Sequence, residues 1–137
     1  MSFHVTCLFC DDIRHEVGGK ISLMGVYGDE MSIHSQGNNM LERLSILLTV
    51  QIENNKKPFQ LEVVLYGPRE NDENRMSVEL KPLKDIASKT STAHIPFPFL
   101  NIPLPEKKGD IRVVAIIEGK EYNAGKLTII NTENPTL

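Results

Sequence analysis

From residue 44 to residue 52 every even-numbered side chain is apolar. In RLSILLTVQIE, Leu44, Ile46, Leu48, Val50 and Ile52 share one side of an extended chain, and Ser45, Thr49, Gln51 and Glu53 lie opposite. Successive side chains of a strand point to opposite faces, so a period of two marks a strand with one face buried. FQLEVVLY turns Phe59, Leu61, Val63 and Leu65 one way and Gln60 and Glu62 the other, and RMSVEL repeats the pattern with Met76, Val78 and Leu80. Between the first two, NNKKP is a cluster of turn formers, which predicts a hairpin. DIRVVAIIE and EYNAGKLTII flank Gly119-Lys120, a Gly-X pair suited to a two-residue type II′ turn. Near the start, Phe3, Val5, Cys7 and Phe9 alternate with His4 and Thr6, and the alternation sets Cys10 away from the core.

KISLMGVYG differs, being apolar on both faces as a central strand covered on both sides would be. Its Gly25 points to a bulge or to a close approach by another backbone. Helix signal is confined to two short stretches, Asn39 to Arg43 and Pro82 to Ser88. About eight short strands separated by turn residues predict an all-β fold, an antiparallel sandwich of immunoglobulin-like or C2-like type. At 137 residues the chain reads as one domain, residues 1–137. Within HIPFPFLNIPLP, Pro96 and Pro98 stand two apart and so remove two amide donors from the same side of a strand. That predicts an edge strand blunted against further pairing, anchored in the core by Phe97 and Phe99.

Composition narrows the function classes. Net charge is −3 with a pI of 5.8, which gives no footprint for nucleic acid or an anionic membrane surface. With no Trp, three Tyr and five Phe, stacking platforms for single strands are scarce. The opening MSFHVTCLFCDD has no basic leader, and no stretch approaches the roughly 18 apolar residues of a membrane span. The expected setting is the cytoplasm, with Cys7 and Cys10 reduced.

Candidate chemistry concentrates in CDDIRHEVGGK, residues 10–20. His4, Cys7, Cys10 and His15 form an H-x2-C-x2-C-x4-H array of zinc-type ligands. A regular strand defeats it, since residues three apart face opposite ways. Asp11, Asp12 and Glu16 offer oxygens that calcium would take together with Asp29 and Glu30. Those two acidic groups fall at opposite ends of a simple hairpin, and Arg14 and Lys20 sit among the first. His15 beside the carboxylates offers acid–base groups, yet no nucleophile elbow, phosphate-cradling loop or HExxH accompanies them. The segment reads better as a strand reversal. Its aspartates accept turn N–H groups, Gly18-Gly19 supplies positive φ, and Arg14 and Lys20 pair with Asp12 and Glu16.

LFCDDIRHEVGGKISLMGVYG, with the tail GDIRVVAIIEGKEYNAGKLTI, resembles a family of small uncharacterised bacterial and phage-associated proteins. Its members look like C-D-D-x-R-x-E-x-x-G-K-x-S-L-x-G-x-Y near the N-terminus. Here those positions are Cys10, Asp11, Asp12, Arg14, Glu16, Gly19, Lys20, Ser22, Leu23, Gly25 and Tyr27. The resemblance implies a compact bacterial-type soluble protein and carries over no catalytic residue; IPFPFLNIPLP departs from the family's pattern. Together these features predict a module that binds another protein rather than catalysing a reaction, with no cofactor. Asp11, Asp12, Arg14, Glu16 and Lys20 would face the partner, Arg14 as the anchor. A phage, prophage or defence setting rests on the resemblance alone. The alternative class is a zinc- or calcium-binding protein, or a hydrolase, using the Cys10 to Glu16 loop.

Overall fold

Nine strands form the regular structure of residues 3–34, 40–53, 57–69, 72–81 and 90–132, the residues described by the computed structural model. They are β1 (His4–His15), β2 (Ile21–Tyr27), β3 (Glu30–His34), β4 (Met40–Glu53), β5 (Phe59–Tyr66), β6 (Glu73–Leu80), β7 (Thr90–Pro103), β8 (Lys108–Ile117) and β9 (Lys120–Thr132). A four-stranded sheet, β2-β1-β4-β7, stacks on a five-stranded sheet, β3-β9-β8-β5-β6. The fold is the expected all-β sandwich, with one strand more than anticipated and one parallel pair, β3 with β9. Of Asn39 to Arg43, anticipated as a helical turn, Met40 to Arg43 open β4 and Asn39 lies outside the described residues. Pro82 to Ser88 lies outside the described residues.

The alternation in the sequence is the alternation of the core. Leu44, Ile46, Leu48, Val50 and Ile52 of β4 meet Leu61, Val63 and Leu65 of β5, with Ile111, Val113, Ala115, Leu127 and Ile129 of β8 and β9. Burying a side chain of this size stabilises by roughly 1.5–3 kcal/mol relative to leaving it exposed. The two strands on either side of NNKKP nevertheless do not pair as the expected hairpin. β4 pairs with β1 and β7, whereas β5 pairs with β6 and β8 in the other sheet. An apolar face is satisfied equally by a neighbour across the sandwich, so alternation alone does not choose between pairing and stacking.

Local chemistry fixes the turns. Between β8 and β9, Ile117 pairs with Lys120, which leaves Glu118 and Gly119 at the tip. Their φ values are 52° and 80°, the two positive angles of a type I′ turn rather than the anticipated II′ turn at Gly119-Lys120. β1 and β2 do form a hairpin, but β1 runs on to His15. Only Glu16–Lys20 make the reversal, with Gly18 and Gly19 at φ 84° and 75° and the Glu16 N–H donating to the Lys20 carbonyl at 2.7 Å.

The sheet ends carry one agreement and one reversal of expectation. β7 is an outer strand, with Pro96 and Pro98 opposite Leu47 and Ser45 and with Phe97 and Phe99 buried. β2, by contrast, reads as a central strand and stands at the other edge of the same sheet.

The two sheets come closest where β1 crosses β9. Gly125 lies under Cys7, and a Cβ added there would sit 2.5 Å from Cys7 Sγ and 3.5 Å from Phe9 Cε2. A bulge in β9, where Ala124 is the extra residue between Asn123 and Gly125 opposite Val114 and Val113 of β8, adjusts the strand at this point. Gly125→Ala is expected to destabilise the protein by about 1–3 kcal/mol through overpacking. Adding Cys7→Ala is expected to recover part of that loss, which urea melts of the two single variants and the double variant will measure as a non-additive term.

Candidate functional site

The outer face of the four-stranded sheet follows from the inner one. With Phe9, Ile46 and Phe97 in the core, their chain neighbours point away from it. Cross-strand pairing then sets them in rows. Val26, Cys10, Ser45 and Pro98 form one row, and Leu8, Leu47 and Pro96 the next. Thr6, Thr49 and His94 continue it, the Thr49 hydroxyl and His94 Nδ1 being 3.1 Å apart. On the other side of the first row lie Met24, Asp12, Arg43 and Leu100.

This face is unusually apolar for an outer surface. Leu8 is 47% exposed, Met24 45%, Val26 51% and Leu100 61%. Between them Cys10, Ser45 and Leu47 are buried. The alternation places Cys10 away from the core; it does point away from the core, and it is nonetheless fully buried. Its thiol donates to the Ser45 carbonyl at 3.6 Å. Burial first, and then the charges of Asp11 and Asp12, push that thiol's pKa up, with Arg43 opposing. Cys7 faces the other way, and burial holds its thiol up at about 12. Neither sulfur is a ready nucleophile or ligand.

The residues singled out from the sequence separate into three environments. Asp12 sits between two arginines, Arg43 at 2.9 Å and Arg14 at 3.8 Å. Arg14 therefore does pair with Asp12, but the closer partner comes from β4. Asp11 goes elsewhere. It accepts a hydrogen bond from the Tyr27 hydroxyl, and its carboxylate lies over Gly25. Gly25 has φ 66° and no room for a Cβ, so the close approach anticipated there is made by a side chain rather than a backbone. Glu16 and Lys20 are joined through the main chain at the turn. A depression of about 480 Å³ beside the turn is lined by Glu16, Val17, Lys20, Ile21 and Ser22. All five belong to one hairpin, so the hollow has no second wall to enclose a small molecule.

The picture of a Cys10 to Glu16 loop is thus corrected: Cys10 to His15 are strand, and only Glu16 begins the turn. His4, Cys7, Cys10 and His15 stay strung along β1, and among the described residues no three His, Cys, Asp or Glu side chains converge on a metal position. Glu16 and Asp29 lie beyond opposite ends of β2. Arg43, Leu8, Met24, Val26 and Leu100 were not anticipated. The signal was available for Leu8, apolar at a position that the alternation of β1 assigns to the outside; β2 is apolar on both faces, so its pattern does not single out Met24 and Val26.

Among the described residues no helix is long and apolar enough to cross a membrane. No protein-family model matches the chain, and a search of curated proteins finds no match.

Tyr27 provides a pH-dependent test of the Asp11 contact. Burial first, then the hydrogen bond to Asp11 and its charge, push the phenol from 10.0 up to about 12. A raised folded value favours the protonated form, so this stabilisation is complete below pH 10 and is lost as pH rises from 10 through 12. Tyr27→Phe is expected to remove a tyrosinate absorbance step near pH 12 and to flatten the stability profile in that window, as followed by alkaline titration and melting.

Proposed function

We propose that this protein is a non-catalytic binding module that docks another protein on the outer face of β2-β1-β4-β7. The observation that carries the reading is the arrangement of that face: Leu8 and Val26 exposed around buried Cys10 and Leu47, and, in the neighbouring row, Met24 and Leu100 exposed on either side of the Asp12–Arg43 ion pair, with Arg14 beyond. Exposed apolar side chains clustered with arginines on one surface are the anatomy of a protein interface. The groups with acid–base chemistry support the same reading by being engaged elsewhere. Asp12 is held by arginines, Asp11 by Tyr27, and both thiols are shielded.

Of the five residues first assigned to the partner, Asp12 and Arg14 belong to this face. Glu16 and Lys20 extend it at the turn, and Asp11 supports it through Tyr27. We place the module in the cytoplasm of a bacterium, in a phage, prophage or defence setting; the support is the resemblance of the Cys10 to Tyr27 motif to phage-associated proteins.

The test compares affinity captures from lysate of the source cells. Wild type and a Gln60→Asp variant on the opposite sheet are expected to recover the same protein. Leu8→Asp with Leu100→Asp is expected to lose it, since truncating interface anchors costs about 2 kcal/mol or more each. Equal recovery by all three, each folded by circular dichroism, would exclude this face as the interface.

A further inference from the structure

The four edges of the two sheets are not alike. β7 is blunted by Pro96 and Pro98, which offer no amide. β6 carries Glu73, Arg75 and Glu79 along its length, and Arg75 is tied to Glu62 and Glu73. β3 is only five residues long and begins with Glu30. Charges, prolines and shortness are the ordinary protections of a sheet edge. β2 has none of them. It is seven residues, ISLMGVY, without a charged residue or a proline, and among the described residues no strand pairs with its outer side. Its composition is that of a strand covered on both faces and paired on both sides, yet Met24, Gly25 and Val26 are exposed.

We propose that β2 pairs with β2 of a second copy of this chain, antiparallel about a two-fold axis, to join two four-stranded sheets into one of eight strands. Two observations favour a second copy over a foreign strand. β2 is uncharged, so laying it against itself opposes no like charges. Its flanks are oppositely charged, Lys20 before it and Asp29 after it, both exposed. Antiparallel pairing centred on Met24 sets Ser22 against Val26, Ile21 against Tyr27, and Lys20 of each copy against Gly28 beside Asp29 of the other. Opposite charges are therefore brought near one another at both ends, one residue out of direct opposition, whereas parallel pairing would set Lys20 against Lys20. The contact is isologous and closes at two copies. Gly25, despite its positive φ, leaves the register with β1 unchanged, Met24 with Asp12 and Val26 with Cys10. The inference concerns the edge of the sheet and stands or falls separately from what docks on its face.

Sedimentation velocity over a concentration series tests it. Wild type is expected to shift from the 15.4 kDa of one chain toward twice that mass as concentration rises. Met24→Lys sets two lysines together at the axis and is expected to weaken association by roughly ten-fold or more. Lys20→Glu is expected to weaken it as well, and Lys20→Glu combined with Asp29→Lys to restore it, because the reversal recreates both end pairs. All of these positions are exposed, and unchanged thermal melts in dilute solution will show that the variants fold. A wild type that stays at 15.4 kDa at every concentration overturns the proposal. So does a dimer indifferent to Met24→Lys, which would place the contact elsewhere, and so does failure of the double reversal to restore what Lys20→Glu removes.

Discussion

The seating of β1 over β9 governs everything on the outer face of the four-stranded sheet. Cys7 rests on the bare backbone of Gly125, and Phe9 packs beside it. That contact fixes which side chains of β1 point inward. Because the side-chain period of a strand is two, a slip of one residue would exchange the faces and expose Phe9 while burying Thr6. With β1 held, β4 follows through its pairing with Val5, Cys7 and Phe9, and β7 and β2 follow in turn. Leu8, Cys10, Leu47 and Val26 are then outward by necessity. The apolar outer surface is a consequence of the core.

Seen this way, the charged segment that first attracts attention has a mainly structural use. Asp12 bridges β1 to β4 through Arg43, and Asp11 closes the space over Gly25 while holding Tyr27. Exposed ion pairs of this kind contribute at most about 1 kcal/mol each. Their effect is geometric more than energetic: they fix the hairpin's far end against the sheet, so that Met24 and Val26 project together with Leu8. The turn glycines reverse the chain, and the chemistry of the acids is absorbed by their neighbours.

Much of the fold was legible in the sequence because the core and the sequence share a period. Leu44 to Ile52 and Phe59 to Leu65 are read correctly by alternation alone. The proline pair gave away the edge position of β7, since missing amides have few other places in a sheet. Pairing across space was not legible. β4 and β5 present the same pattern whether they lie side by side or face each other, and the chain chose the latter. The site was legible only in part. Asp12 and Arg14 lie where the outer face needs charge, but Arg43 lies 31 residues from Asp12 along the chain and meets it only through the β1–β4 register. The direction of Cys10 was legible and its burial was not, because alternation reports the direction of a side chain and not what stands around it.

β2 is the point where sequence and position disagree, a strand composed for the middle of a sheet and placed at its edge. In an antiparallel ladder alternate residues turn their N–H groups away from the neighbour. Amide hydrogen exchange along Ile21–Tyr27 therefore reads the outer edge directly. Pairing at that edge predicts that the amides turned away from β1 exchange quickly in dilute solution and become protected as concentration rises, while those bonded to β1 are protected throughout. Outward amides of β2 that exchange freely at every concentration would contradict it.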